Sequence, residues 1–472
     1  MRSLEQWLAH QSQVHPQAID LGLARLREVL ERLDWRQPSV PVITVAGTNG
    51  KGSVTAYCAA ILRAAGYRVG TFTSPHLRDY RERIRVHDRL VTNEELIAAF
   101  ERIEAARMRP RGTHGGTAAR DAATPDVVTP GIASFGAATP GEVSLTFFEY
   151  NALAAFLIFQ AAEVDAWVLE VGMGGRLDAV NVVDPTVAVV VSIGLDHQEF
   201  LGDSLEAIAR EKAGIFRKGY AAVLGRDLPP VLLEIAAASG AIPKRLGVEF
   251  DYTRASSDWH YTGSRWDLPR LPPPALGGSI QFANAATALA AIEELDSRLP
   301  VARSAVAQGL ATVQLVGRFQ VIVPGAGRPV WILDVAHNPD AARVLARNLE
   351  ERPVPGRSLA VCGILADKDA AGIAAELHGC FDAWWLASLE GARGSTAAAL
   401  VGKIAGEVDV PVALANDVAA ACAATSAAAG AGDRIIVFGS FHTVGPALEW
   451  LDSQGLLPPT ADPEYTQAVR GQ

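Results

Sequence analysis

Cysteine is scarce in this chain of 472 residues. The four cysteines, Cys58, Cys362, Cys380 and Cys422, form no CxxC pair and show no spacing typical of metal ligands. A disulfide framework and a zinc-binding module are therefore disfavoured. Isolated thiols in a chain with a large apolar fraction fit the reducing cytoplasm.

The chain also lacks a hydrophobic run long enough to span a bilayer. Its longest apolar stretches include Ala152–Phe159 and Val187–Ile193, well short of the roughly 20 residues that a membrane-spanning helix needs. The first residues, MRSLEQW, lack the apolar core of a signal peptide. We therefore expect a soluble cytoplasmic protein that does not enter a membrane.

An excess of positive charge is missing as well. The formal net charge is −10 at pH 7, which argues against broad electrostatic binding of nucleic acid or anionic membranes. An anionic substrate would need a local basic pocket. Hydrophobic residues make up 49% of the chain and charged residues 20%, as in globular proteins. A chain of this length exceeds one hydrophobic core and predicts at least two domains.

A glycine-rich turn is the strongest chemical signal that the sequence contains. The turn, Gly47-Thr48-Asn49-Gly50-Lys51-Gly52-Ser53, follows the apolar run Val42–Ala46 and opens a helical pattern over Val54–Ala65. In this context glycines let backbone N–H groups approach an anion, and the lysine reaches terminal phosphates. The strict P-loop has Ser or Thr directly after the lysine, whereas Gly52 intervenes here. An ordinary glycine turn is the alternative, but the flanking strand and helix favour a nucleoside-triphosphate site.

Strand-like and helical patterns alternate from residue 42 onward. This alternation predicts an α/β fold, with a P-loop-type N-terminal ATPase domain built on a mostly parallel sheet. A smaller, Rossmann-like α/β domain follows, and Pro300 interrupts the pattern near the boundary. We assign residues 1–298 and 299–472 to the two domains. Residues 109–143 are rich in Gly, Ala, Thr and Pro and predict a mobile surface insertion.

Polar residues at predicted strand ends are candidates for cation binding. Ser74 follows the second strand, Glu170 lies within an apolar strand, and His197 follows another. A buried carboxylate is costly unless it is paired or holds a cation, and an acid at a strand end after a P-loop is suited to Mg²⁺. Each residue also has a structural interpretation: a turn cap for Ser74, a salt bridge to Arg176 for Glu170, and a packed side chain for His197.

Other candidate residues give weaker signals. Lys212 would ordinarily be a solvated surface charge, and beside magnesium it would be repelled. In the second unit, Arg318 could neutralise phosphate, and Asp334 could hold a ribose hydroxyl or orient His337. Asn338 and Pro339 equally suit an ordinary helix start.

Taken together, these segments resemble the folylpolyglutamate synthase/dihydrofolate synthase family, a branch of the Mur ligase superfamily. The resemblance covers nearly the whole chain apart from residues 109–143. It rests on motifs that occur in the family's order: Ile19–Leu23, Gly47–Ser53, Ser74–Leu77, Leu145–Glu149, Leu169–Asn181, Leu195–Gly202, Arg210–Phe216, Asn284–Ala286, Gly317–Arg318, Asp334–Pro339, Gly363–Lys368 and Gly439–Val444.

The resemblance implies a set of site residues. It implies ATP contacts from Thr48, Asn49, Gly50, Lys51, Gly52, Ser53, Asn284, Arg318, Asp334 and His337. It implies two Mg²⁺ ions held by Ser74, Glu170, His197 and Lys212, with Lys212 carrying a CO₂-derived carbamate that turns repulsion into attraction. Lys51, Lys212 and His197 would be catalytic. It implies that the pterin substrate binds Asp20, Leu21, Gly22, Leu23, Thr146, Phe147, Phe148, Glu149, Leu177, Asp178 and Ala179.

The family's reaction would be an ATP-dependent addition of L-glutamate to dihydropteroate and to reduced folates through an acyl phosphate. Motifs such as GGRLDA and GSFHTV favour a bifunctional enzyme with dihydrofolate synthase and tetrahydrofolate synthase activities, acting as a monomer without nucleic-acid or membrane partners. A folylpolyglutamate synthase alone is the first alternative. A Mur-type peptide ligase is disfavoured because only 46 residues precede Gly47, and a non-catalytic P-loop regulator because a second α/β domain is present.

Overall fold

The computed structural model describes residues 2–109, 141–325 and 327–457. Most of the predicted insertion, residues 110–140, lies outside these ranges, so its mobility stays a prediction. The described chain forms three sheets and their covering helices. Among the described residues, no helix is both long enough and apolar enough to cross a membrane.

The first unit begins with two helices and then alternates strands and helices. Its elements in chain order are α1 (Leu4–Val14), α2 (Ala24–Arg32), β1 (Val42–Ala46), α3 (Lys51–Ala64), β2 (Val69–Phe72), β3 (Ile84–Val86), β4 (Arg89–Leu90), α4 (Asn93–Arg107), α5 (Phe147–Ala161), β5 (Ala166–Glu170), β6 (Val187–Val190), α6 (Gln198–Leu201), α7 (Leu205–Ala213), β7 (Ala221–Leu224), α8 (Val231–Ser239), β8 (Ile242–Arg245), β9 (Asp251–Arg254), β10 (Trp259–Thr262), β11 (Asp267–Leu271), α9 (Ile280–Glu293) and α10 (Arg303–Thr312).

The second unit repeats the alternation on a smaller scale. Its elements are β12 (Gln320–Ile322), β13 (Val330–Leu333), α11 (Pro339–Glu350), β14 (Ser358–Cys362), α12 (Ala370–Glu376), β15 (Ala383–Ala387), α13 (Ala397–Ile404), β16 (Val412–Ala415), α14 (Val418–Ala428), β17 (Arg434–Phe438) and α15 (Phe441–Ser453).

The predicted α/β class with mostly parallel sheets is confirmed. The first sheet has the order β4-β3-β2-β5-β1-β6-β7-β8, and only β3 and β4 run antiparallel to their neighbours. The second unit has the order β12-β13-β17-β14-β15-β16, with β12 as its antiparallel edge. A small antiparallel sheet, β11-β10-β9, was not anticipated from the sequence.

Side chains of β1 alternate between two apolar layers, as the period of a strand requires. Val42 and Ala46 belong to the layer that α1, α2, α4 and α5 cover. Ile43 and Val45 point to the opposite layer, formed with α3, α9 and α10. Because β1 is buried on both faces, the glycine-rich turn that follows it starts from a rigid strand.

Helix α10 follows the predicted domain boundary in sequence but packs against α3 of the first unit. Its Val306 and Leu310 are buried in the same core layer as α3. The closest approach is at Gly309, where an added Cβ would lie 2.6 Å from Ile61 Cα and 2.7 Å from Ile61 N. The boundary between residues 298 and 299 itself stays a prediction.

We expect Gly309→Ala to destabilise the protein by about 1–3 kcal/mol, because the new methyl group meets the backbone of α3, which cannot move aside. Gly402→Ala is the matched control, since a Cβ on this exposed helical glycine meets nothing within 4 Å, and alanine favours a helix by about 1 kcal/mol. Thermal unfolding of both variants tests this. Equal unfolding midpoints for Gly309→Ala and the wild type would contradict the packing argument.

Candidate active site

A cavity with a volume of about 830 Å³ lies between the two units. The glycine-rich turn and the carboxyl ends of β1, β2, β5 and β6 form one wall, and segments after β13 and β17 form the other. Ligands of open parallel sheets bind at this edge. The cavity is therefore placed where both units can contact one ligand.

The glycine-rich turn is held in shape by its neighbours. Gly50 has a φ of 83° and directly precedes α3, and an added Cβ would lie 2.8 Å from Val191 Cγ1 and 3.0 Å from Asn284 Oδ1. Ser192, in the loop after the neighbouring strand β6, fixes the turn, because its carbonyl accepts from Thr48 N at 2.9 Å and its Oγ from Asn49 N at 2.8 Å. The turn is therefore preformed at the N-terminus of α3, where an anion is favoured.

Two lysines share one backbone acceptor beside this turn. Lys51 Nζ donates to the Gly47 carbonyl at 2.9 Å, and Lys212 Nζ donates to the same oxygen at 3.1 Å. Burial, followed by the nearby Lys51 charge, lowers the pKa of Lys212 to about 7. A large fraction of Lys212 is thus a neutral, nucleophilic amine near neutral pH.

Glu170 is buried without an ion-pair partner among the described residues. Its side chain is 4% exposed, and Oε2 accepts only one long hydrogen bond, 3.3 Å from Ser74 N. Burial raises the pKa of Glu170, although Lys51 and Arg318 oppose the shift. A carboxylate in this state is suited to bind a cation that enters the cavity.

The loop after β6 contributes His197 and Asp196. His197 has a φ of 53°, unusual for a residue with a side chain, and this conformation turns the ring to the cavity wall. Burial lowers the pKa of His197 to about 4, so the ring is neutral at pH 7 and can offer a nitrogen lone pair. Asp196 bridges to the second unit: it accepts from Lys368 Nζ, and its Oδ2 lies 3.4 Å from His337 Nε2.

The second unit completes the cavity with Arg318 and Asp334. Asp334 accepts from the backbone N–H groups of Phe319 and Ala336, both at 2.8 Å, and so fixes the turn that carries Arg318. Burial lowers the pKa of Arg318, although Asp334 and Glu170 oppose the shift. The guanidinium also lies 5.1 Å from the centre of the Phe441 ring.

The predicted pterin-binding segments form the far end of the cavity, but several of their residues also have structural tasks. Thr146 and Glu149 form a capping box at the start of α5, with bonds of 3.2 and 2.7 Å. Phe147 and Phe148 are left to face the cavity. Burial raises the pKa of Asp178 to about 6, although this carboxylate accepts from Met173 N and Val180 N.

The structure brings nearly all of the predicted site residues together. Leu23 alone does not line the cavity; it is buried in the core at the start of α2. Asp196 and Lys368 were not predicted as site residues, although they lie in the recognised segments Leu195–Gly202 and Gly363–Lys368. Within the described ranges no three His, Cys, Asp or Glu side chains form a metal-binding group, so a cation here would need other oxygen ligands.

Comparisons with known proteins agree with this architecture. The Mur ligase middle domain model matches residues 117–247, and the model of the Mur ligase glutamate ligase domain matches residues 317–441. The two α/β units with a shared cavity are those of an ATP-dependent, C–N bond-forming ligase of the Mur ligase group.

Individual relatives show to which family within the Mur ligase group the chain belongs. The Escherichia coli dihydrofolate synthase/folylpolyglutamate synthase is 40% identical, with 96% of each chain covered. A structure of E. coli FolC in complex with DHPP and ADP has 40% identity and a TM-score of 0.84, covering 96% of this chain and 99% of that one. A bifunctional folylpolyglutamate synthase/dihydrofolate synthase with Mn, AMPPNP and L-glutamate bound is 39% identical with a TM-score of 0.81, over 96% and 98% of the two chains. This chain belongs to the dihydrofolate synthase/folylpolyglutamate synthase family.

We expect Glu170→Gln to stabilise the ligand-free protein by about 1 kcal/mol, because it removes a buried charge that has no partner. The pKa of Glu170 is raised by folding from a reference of 4.5, so ionisation weakens the fold as the pH rises. The gain should therefore grow above pH 4.5 and vanish well below it.

The free energy of unfolding of wild type and Glu170→Gln, determined in the presence of a chelator from pH 4 to 8, measures this difference. Asp433→Asn is the control: Asp433 accepts from Arg357 N at 2.7 Å and Arg357 Nη2 at 2.8 Å, so its substitution should destabilise the protein. A loss of stability in Glu170→Gln at pH 8 would contradict our description of Glu170.

Proposed function

We propose that this chain adds L-glutamate to dihydropteroate and to reduced folates, with ATP as the co-substrate. The observation that carries the proposal is one cavity, which joins the glycine-rich turn, cationic side chains from both units and an aromatic wall. The family to which the chain belongs supports the same activity, since its E. coli relative is named for both reactions.

The reaction has two balanced steps. A carboxylate oxygen of the pterin substrate attacks the γ-phosphorus of ATP, the bond to the β-phosphate oxygen breaks, and ADP leaves. The glutamate amine then attacks the acyl carbon, the C–N bond forms and the C–O bond to phosphate breaks. Overall the ammonium group loses two protons, of which one stays on hydrogen phosphate and one is released to solvent.

Phosphoryl transfer depends on charge neutralisation and alignment more than on a covalent nucleophile. Lys51 and Arg318 are partly buried cations on opposite walls of the cavity. Gly50 lets the turn pack directly against the Asn284 side chain, which also lines the cavity. We assign the predicted ATP-binding residues, with Asp334 and His337, to the nucleotide on this basis.

The described residues fit a divalent cation. Glu170 has an unpaired carboxylate, His197 a neutral ring, and Ser74 a hydroxyl next to Glu170. We propose that these three side chains hold Mg²⁺, with phosphate oxygens of ATP as further ligands. A bound magnesium ion would polarise the phosphoryl group and neutralise its developing charge. Binding of two ions, a monomeric state and a cytoplasmic location stay predictions.

Lys212 is suited to form the predicted carbamate. Its neutral amine can attack CO₂, forming an N–C bond and releasing one proton, so that the neutral amine becomes an anionic carbamate. A lowered pKa near 7 supports this chemistry because protonated lysine does not react. The alternative, a neutral amine that only supports the Gly47 carbonyl, predicts no carbamate.

Product mass tests the activity directly. We expect purified protein with ATP, Mg²⁺ and L-glutamate to add one glutamate residue to dihydropteroate in one tube and to tetrahydrofolate in another, with ADP formed in proportion. Addition only to tetrahydrofolate would reduce the enzyme to a folylpolyglutamate synthase. No addition in either tube, with Mg²⁺ and ATP present, would overturn the proposal.

We expect Lys212→Ala to lower kcat by about 100-fold or more, because charge is lost where the transition state needs stabilisation. In ¹³C-bicarbonate, wild-type protein should show a carbamate carbon resonance that Lys212→Ala lacks. Lys218→Ala is the control, since Lys218 is an exposed lysine close by. A carbamate signal that persists in Lys212→Ala, or full activity in that variant, would remove Lys212 from this role.

A further inference from the structure

Arg83 is a cavity residue to which neither the resemblance nor the proposed function gives a task. It directly precedes β3, and its carbonyl accepts from Thr73 N at 2.9 Å, continuing the Phe72–Ile84 register of β2 and β3. This register places Arg83 opposite Thr73, next to Ser74. The side chain thus reaches the same sheet edge as Ser74 and Glu170.

The Arg83 guanidinium is fixed in orientation by three neighbours. Its Nε donates to His76 Nδ1 at 2.8 Å, and its central carbon lies 5.5 Å from the centre of the Phe147 ring and 5.9 Å from that of the Tyr80 ring. Because an arginine N–H can only donate, His76 Nδ1 is the acceptor of this bond. With Nε occupied, the remaining donors are the two Nη groups.

Those Nη groups have no partner in the described part of the chain. Among the described residues, the Arg83 side chain makes one hydrogen bond, to His76, and no carboxylate lies within ion-pair distance of its guanidinium. The two Nη atoms are not fully enclosed by protein atoms. The residue is only 8% exposed and lines the cavity. The free face of the fork therefore opens into the cavity.

A buried guanidinium without an anion is unfavourable, and its fork matches a carboxylate in two-pronged geometry. In the proposed function the ATP phosphates are bound by the glycine-rich turn, Lys51 and Arg318, so they do not need Arg83. Arg83 lies instead between Ser74 at the cation side and Phe147 on the aromatic wall. A ligand with an aromatic body and a terminal carboxylate would meet Arg83 with that carboxylate.

We propose that Arg83 binds the pterin substrate's reacting carboxylate, the one that accepts the γ-phosphoryl group, and that His76 holds the guanidinium for this contact. The inference rests on the proposed function and adds a substrate-binding residue to it. Pairing with Arg83 would hold the carboxylate near the γ-phosphate and share the negative charge of the acyl phosphate.

The test compares dihydropteroate with its carboxamide, which keeps the shape and removes the charge. With ADP present to prevent turnover, calorimetry gives the affinity of each ligand. We expect wild-type protein to prefer the carboxylate by about 10-fold or more and Arg83→Gln to lose that preference, while the affinity for ADP stays unchanged. Arg81→Gln is the matched control and should behave as wild type. Arg81 lies with Arg83 on the short 3₁₀ helix Tyr80–Arg83, but it pairs with Asp79.

Arg83→Lys serves if Arg83→Gln does not fold. It keeps the charge without the fork, so we expect an intermediate preference and a raised KM for dihydropteroate at unchanged KM for ATP. Wild-type preference in a folded Arg83→Gln or, failing that, in Arg83→Lys would overturn the inference. Failure of wild-type protein to add glutamate would instead overturn the proposed function, so the two outcomes are distinguishable.

Discussion

The bridge from Asp196 to the second unit is the contact on which the cavity depends. Asp196 lies in the loop that follows β6 of the first sheet, and it pairs with Lys368 and His337 of the second unit. A second bridge runs from Asn49 to Asn338, whose side-chain amides exchange hydrogen bonds of 3.0 and 3.1 Å. Asn338 also caps α11. The glycine-rich turn and the start of α11 are thus held at a fixed separation, and one ligand can contact both.

The charges in the cavity make physical sense only with ligands present. Arg83 is a buried cation, Lys51 and Arg318 are partly buried cations, and Glu170 is a buried carboxylate with no salt bridge in the described ranges. Burying unpaired charge destabilises the empty protein. The same groups are already oriented when a nucleotide, a cation and a carboxylate arrive, so little reorganisation is needed during the reaction.

Local sequence signals predicted much of the fold, and the reasons are visible in particular elements. Helix α4 begins at Asn93 because Thr92 and Glu95 form a capping box, a signal within one turn of helix. The sheet β9–β11 was missed since several of its residues are exposed and show no apolar alternation. The role of α10 was not foreseen because its packing on α3 depends on distant residues.

The site was predictable to a similar degree. Residues in recognised motifs line the cavity, whereas Leu23 belongs to the core beneath its segment. Thr146 and Glu149 show why a motif does not distinguish residues that contact a ligand from residues that stabilise the fold. Both line the cavity, yet their side chains form the capping box at the start of α5. Asp196 and Lys368 escaped prediction because their importance arises from a pairing across 172 residues of sequence. A pairing of that kind is not readable from either segment alone.

The connection between the units also limits how they can move. Val313 is anchored in the first unit's core, and Arg318 lies five residues further on in the cavity wall. Five extended residues span at most about 17 Å, so Arg318 cannot move farther than that from the end of α10. Because α10 packs on the helix that begins at Lys51, Arg318 stays close to the glycine-rich turn in any opening of the cavity. Any movement that separates the two units would break the Asp196 and Asn49 bridges, while Arg318 would stay tethered to the end of α10.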